Sequence, residues 1–256
     1  MTTTTDALAG IGDTDLVELK RPEVPNGSRI LLKLESQNPT GSMKDRMALA
    51  MIKAAEDDGR LAPDGSVVEY TGGSTGVSLA FVCAVKGYPL HVVTSDAFSR
   101  EKLYHMALLG AQLTILESDD GRMTEQLTRN MVAAAGELAA RPGAFWTDQL
   151  KNEAPLAAYH RMAGEIWSQT DATVGTFVQC VGTGGCLRGV GESLRRLEEN
   201  VRIVAVEPAE SAVLSGGQSG AQQIDGVGGG FVVPLWNDEV ADEIERVSTD
   251  VAVESA

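Results

Sequence analysis

From residue 67 onward the chain alternates short apolar runs with longer periodic stretches, and this alternation narrows the possible folds more than any other feature. Residues 67–70 (Val-Val-Glu-Tyr), 90–94 (Leu-His-Val-Val-Thr), 113–116 (Leu-Thr-Ile-Leu) and 145–147 (Phe-Trp-Thr) read as strands. Residues 77–86, 99–109 and 124–140 read as helices, the first two closed by Gly87 and Gly110. Apolar strands, each followed by a helix, predict βαβ units around a parallel sheet. After Asp148 a second series begins, with a helix at 157–169, a strand at 177–181, a turn at 182–186, a helix at 187–199 and a strand at 202–206. A glycine-rich loop, 216–230, then runs into Phe231-Val232-Val233. The expected architecture is α/β, with two open, mostly parallel units and a cleft between them. Ahead of this, residues 15–19 and 29–35 read as short strands separated by Pro22, Pro25, Asn26 and Gly27, and residues 1–13 as a loose tail.

Composition removes several function classes. A net charge of −15 argues against nucleic acid or an anionic membrane as partner. A small anion remains compatible, because a nest of backbone N–H groups binds phosphate whatever the global charge. Cys83, Cys180 and Cys186 lack metal spacing, and His91, His105 and His160 lie far apart, so no metal site is expected. The first nine residues lack the basic and apolar blocks of a secretory signal, no run approaches a membrane span, and a cytoplasmic protein is expected.

Three short segments can carry chemistry. Residues 38–46, Asn-Pro-Thr-Gly-Ser-Met-Lys-Asp-Arg, form a turn that delivers Lys44 to the mouth of a helix, with Ser42 as its cap. A lysine in a first helical turn feels the positive end of the dipole, which favours the neutral amine that forms Schiff bases. The plainer reading is a solvated helix-start lysine. Residues 182–186, Gly-Thr-Gly-Gly-Cys, fall between a strand and a helix, where glycines and a helix N-terminus cradle phosphate; a tight turn is the alternative. A dinucleotide site is a further rival, with Glu207 as the ribose-binding acid, although Leu187 stands where the fingerprint needs a third glycine. Residues 71–76, Thr-Gly-Gly-Ser-Thr-Gly, suit a carboxylate or simply cap a closely packed helix. Gln149 follows a strand end and taken alone is a loop residue. Taken together, a helix-start lysine, a phosphate turn and a carboxylate turn are what an amino-acid enzyme using pyridoxal phosphate needs.

With these motifs in this order, and with 224–231 (Ile-Asp-Gly-Val-Gly-Gly-Gly-Phe), the chain resembles the cysteine synthase and cystathionine β-synthase family of fold-type II pyridoxal-phosphate enzymes, whose fold is tryptophan synthase β-like. The similarity spans about residues 15–252. It implies that Lys44 holds the cofactor and shuttles the α-proton, and that Gly182, Thr183, Gly184, Gly185 and Cys186 hold its phosphate. It also implies that Thr71, Gly72, Ser74, Thr75 and Gln149 bind the substrate carboxylate, with Ser74 beside the cofactor ring. The implied reaction is β-replacement on an activated serine, of the O-acetylserine or O-phosphoserine type, through a bound aminoacrylate that a thiol attacks. β-Elimination of the serine/threonine dehydratase kind, or a catalytically impaired scaffold that still binds pyridoxal phosphate, are the alternatives. The implied domains are 41–148, the smaller, and 14–40 with 149–256, the larger, in a homodimer. Three departures stand out: Gly72 replaces a serine, Ser74 an asparagine and Cys186 a threonine. The family also continues beyond residue 256 with the serine that meets the pyridine nitrogen, so an unpaired sheet edge and exposed apolar surface are expected.

Overall fold

The computed structural model describes residues 6–20, 27–121 and 124–255. Pro22, Pro25, Asn26 and the first five residues of the expected tail lie outside them. The rest of that tail is ordered, contrary to expectation. Ala7–Gly10 form a 3-10 turn whose cap, Asp6, accepts the Leu8 N–H at 2.9 Å, and Leu8 is buried. One apolar side chain among small and polar neighbours has no periodicity to reveal it.

β1 (Leu16–Leu19) and β2 (Ile30–Lys33) form an antiparallel pair. α1 (Lys44–Asp57) follows, with Met47, Met51, Ile52 and Ala55 on one buried stripe. Burying each of the larger three contributes about 1.5–3 kcal/mol. The stripe is wide because α1 packs on two helices, α2 (Ser74–Lys86) and α5 (Pro155–Gln169).

The first sheet contains β3 (Ser66–Tyr70), β4 (Leu90–Ser95), β5 (Gln112–Leu116) and β6 (Ala144–Trp146), all parallel, in the order β5-β4-β3-β6. β3 is buried on both faces, as its apolar run, interrupted only by Glu69, predicts. Val67 joins the core under α2, while Val68 meets Leu127, Met131 and Ala135 of α4 (Glu125–Ala139). α3 (Arg100–Leu108) links β4 to β5.

The second sheet is parallel in the order β7-β8-β9, with β7 (Thr176–Cys180), β8 (Arg202–Pro208) and β9 (Glu243–Val247). α6 (Gly185–Leu197) connects β7 to β8 and packs on α5 through Gly189, where a Cβ would fall 2.7 Å from that of Tyr159. β9 and α7 (Thr249–Ser255) were not expected. β9 reads Glu-Ile-Glu-Arg-Val, a charged sequence that pairing to β8 makes into a strand. At the edge, Val178 of β7 is exposed, as are Val251 and Val253 of α7.

One buried cluster runs through α1, α2, α5 and α6, so the two sheets share a core with α1 at its centre. Among the described residues no helix is long and apolar enough to cross a membrane, and no group of three or more His, Cys, Asp or Glu could hold a metal ion.

Candidate active site

The order of the first sheet reverses at β3, whose chain neighbour β4 lies on one side and β6 on the other. Ligands of open α/β sheets bind outside the carboxyl ends of strands at such a switch point. The 71–76 turn leaves β3 there, and Gln149 follows β6.

Lys44 opens α1. Gly41, at φ 79°, makes the bend, and the Ser42 hydroxyl accepts the Lys44 N–H at 3.2 Å, close to the capping role expected of it. Asp45 anchors the bend from below: buried, it accepts the Thr40 N–H at 2.8 Å and the Thr40 hydroxyl at 2.5 Å. Arg46 fastens the same turn of helix elsewhere. Its guanidinium donates to Glu35 at 2.8 Å and to Glu165 of α5 at 2.6 and 2.7 Å. Burial opposes the Arg46 charge, yet the bonds to Glu165 and Glu35 outweigh it and raise its pKa; Glu165 is in turn held at about 2. Among the described residues no carboxylate pairs with the Lys44 amine. Burial lowers its pKa, opposed by Cys186, whose own thiol burial pushes up to about 12 against the pull of Lys44. The amine is therefore near enough to Cys186, in the first turn of α6, for their charges to interact, and burial makes it easier to deprotonate than an ordinary lysine.

In the 71–76 turn, α2 begins at Ser74 rather than at Val77, so Ser74 and Thr75 lie in its first turn, where N–H groups lack intrahelical acceptors. The Thr71 hydroxyl accepts the Gly73 N–H at 3.2 Å. Thr75 donates to the Gln149 side-chain oxygen at 2.7 Å, and the Gln149 amide donates to the Tyr70 carbonyl at 3.3 Å. Thr71, Gly72, Ser74, Thr75 and Gln149 are thus brought together. Beneath them lies a residue that sequence reasoning passed over. Glu69 is wholly buried at the end of β3, and its carboxylate accepts the Thr147 hydroxyl at 2.5 Å, the Tyr70 N–H at 2.9 Å, the Gln149 N–H at 3.0 Å and the Trp146 indole at 3.4 Å. Burial raises its pKa to about 7 against those four donors. A lone polar residue in an apolar strand was the available signal.

The 182–186 turn is built from backbone. α6 starts at Gly185, two residues before the expected start, and Gly184 caps it at φ 85°. A Cβ on Gly182 would come within 2.5 Å of the Gly226 carbonyl oxygen, so the 224–231 loop lies over the turn and leaves room only for glycine. The Gly228 N–H, donating to Val181 at 3.0 Å, pins that loop. Thr183 is half-buried beside these glycines, whereas the Cys186 thiol turns to the Gln179 side chain, 3.6 Å away. The Glu207 carboxylate, the acid of the dinucleotide alternative, accepts the Leu214 N–H at 2.8 Å and the Ser215 N–H at 3.1 Å, so it is spent on its own loop.

These residues fit pyridoxal phosphate. A turn closed to a Cβ at Gly182, helix N–H groups and the Thr183 hydroxyl suit a phosphate, and a desolvated lysine suits an aldehyde. Comparison with known proteins agrees. Residues 7–256 match the family described as pyridoxal-phosphate dependent enzyme. The cysteine synthase of Staphylococcus aureus (strain N315) is 38% identical over 246 residues, 95% of this chain and 77% of that protein. Among solved structures, O-acetylserine sulfhydrylase isoform 3 from Entamoeba histolytica superposes with a TM-score of 0.90 at 38% identity, over 97% of this chain and 74% of that one. A hydrogen sulfide-producing enzyme from Fusobacterium nucleatum gives 0.91 at 31%, over 99% and 82%, and O-ureido-L-serine synthase 0.89 at 33%, over 96% and 77%.

Proposed function

Since this chain belongs to the family of pyridoxal-phosphate dependent enzymes, we infer that it performs β-replacement on an activated serine, with cysteine synthase chemistry. The observation that carries the reading is the Lys44 amine, desolvated at the start of α1 beside the glycine cradle of α6. When bound, pyridoxal phosphate supplies an electron sink for the carbanion formed at the substrate α-carbon. We propose that Gly182, Thr183, Gly184, Gly185 and Cys186 hold its phosphate through helix and turn N–H groups. Lys44 would attach it and then, as a free amine, take the α-proton; a pKa lowered by burial leaves more of that base unprotonated near neutrality. Thr71, Gly72, Ser74, Thr75 and Gln149 would orient the substrate carboxylate, with Glu69 fixing Gln149 and Thr147 from below.

With O-acetylserine and sulfide, the balanced reaction releases acetate as sulfide takes its place on the β-carbon, and the product is cysteine. The division into 41–148 and 14–40 with 149–256 is part of this reading, supported by the two separate sheets. So is a homodimer, supported by the exposed cross-strand pairs Val17–Leu32 and Leu19–Ile30 on one face of the hairpin. A cytoplasmic location fits three unpaired cysteines.

The test supplies holo-protein with O-acetylserine and sulfide, then assays both cysteine and pyruvate. Cysteine in excess, lost by about a thousandfold or more in Lys44→Ala, is expected. Pyruvate as the sole product would assign the chain to β-elimination, and turnover surviving in Lys44→Ala would remove the lysine from its role.

A further inference from the structure

Gly72 occupies the position where the resemblance implies a serine, and a residue in another loop explains why. A Cβ built on Gly72 would overlap the Phe98 ring, 1.9 Å from its Cγ and Cδ2 atoms and 2.4 Å from Cδ1. Phe98 belongs to the connection between β4 and α3, which is braced throughout. Its N–H donates to the Ser95 carbonyl at 3.2 Å, the Ser95 hydroxyl accepts the Ala97 N–H at 3.2 Å, and Asp96 accepts the Ser118 N–H at 2.8 Å. Phe98 packs on the cluster of Val68, Val93, Leu127 and Met131, as does Tyr70. It is therefore a fixed wall against a buried stretch of backbone, not a surface side chain lying there by chance.

We propose that Phe98 is a specificity-determining residue, matched to Gly72, that walls the 71–76 turn so that an amino-acid carboxylate binds to backbone N–H groups behind an apolar screen. The inference rests on the substrate reading given above. A hydroxyl at position 72 would add one hydrogen bond; the ring instead removes water. Charge-assisted bonds to a carboxylate strengthen as the local dielectric falls, while bonds to a neutral amide gain much less. The wall thus selects for the charge of the carboxylate. It also makes position 72 intolerant of any side chain while the ring is present.

Calorimetric titration of the holo-protein with L-serine and with L-serinamide tests this. Phe98→Ala is expected to weaken L-serine about tenfold and leave L-serinamide nearly unchanged, and Phe98→Leu, which keeps an apolar screen, to weaken L-serine about threefold. Gly72→Ser should lower both L-serine affinity and thermal stability, and Gly72→Ser with Phe98→Ala should recover a good part of each, since the clash is gone. The inference is overturned if Phe98→Ala weakens both ligands alike or neither, or if Gly72→Ser costs as much without the ring as with it. If Phe98→Ala fails to fold, Phe98→Leu decides by the same ratio of L-serine to L-serinamide. A wild type that makes cysteine while both Phe98 variants match it in that ratio rejects this inference alone. A wild type that binds neither ligand and makes no cysteine rejects the substrate reading, and the role of Phe98 with it.

Discussion

The turns at 71–76 and 182–186 occupy the same place on their sheets, between a parallel strand and the first turn of a helix, yet opposite means hold them. The first is held by side chains: Thr75 on Gln149, Gln149 on Glu69, Glu69 on Thr147. The second is held by the absence of side chains, with Gly182 under the Gly226 carbonyl and Gly184 at φ 85°. A phosphate keeps its charge and needs only N–H groups at a fixed spacing, so rigid backbone suffices. On the proposed reading a substrate carboxylate must enter and leave the 71–76 turn at every turnover, and backbone N–H groups positioned by adjustable side-chain bonds suit that task. The first turn should therefore be sensitive to charge and pH as well as to the close approach of Phe98 to Gly72, and the second to sterics alone.

The largest of the effects that separate the turns is expected at Gly182→Ala. A Cβ 2.5 Å from a backbone oxygen forces the 224–231 loop to move. At about 1–3 kcal/mol for such overpacking, pyridoxal-phosphate affinity should fall about five- to 150-fold, read by fluorescence titration. An unchanged affinity would mean that the loop is not part of the cradle.

The next effect lies under the other turn. Glu69 has a folded pKa of about 7 against an ordinary 4.5, so between those values the folded protein holds a proton that the unfolded chain has released. This group's contribution to stability is full below about pH 4.5 and falls as pH rises toward 7. Glu69→Gln should cost about 1–3 kcal/mol by facing an amide NH2 toward N–H donors, and should also flatten that pH dependence. Thermal unfolding at pH 5 and pH 8 checks both, and an identical slope in the variant would show that Glu69 is not the titrating group. Glu165, held at about 2 by Arg46 and Lys33 against its burial, has the opposite sign. Its contribution is present above about pH 4.5 and is lost as pH falls toward 2.

The smallest effect belongs to Cys186. Because its thiol faces Gln179, Cys186→Thr is expected to change cofactor affinity by less than about fivefold, the worth of one neutral hydrogen bond. A larger gain would place the side chain, and not only its N–H, at the phosphate.

Much of this was legible in the sequence because the signals are local. Strands buried on both faces leave mostly apolar runs, as in β3 and β4, and glycines at 182, 184 and 185 mark a turn without reference to the rest of the chain. Where the signal is not local it was missed. β9 is charged along its length and becomes a strand only because β8 offers it a partner. The start of α2 was placed at Val77 because Ser74-Thr75-Gly76 looks like a loop until Gly73 turns the backbone into the helix.

The amino-acid order by itself determined the alternation of strand and helix, the place of Lys44 at a helix start and the two glycine-rich strand–helix turns, because each depends on residues adjacent in the chain. Only the tertiary structure decided what surrounds them. Burial around Lys44 lowers its pKa, Arg46 reaches Glu35 and Glu165 from different segments, Glu69 sits beneath Gln149, and Phe98 fills the space above Gly72. Each of these pairings joins residues eleven or more positions apart or depends on the local dielectric, and no pattern of neighbours along a chain encodes either.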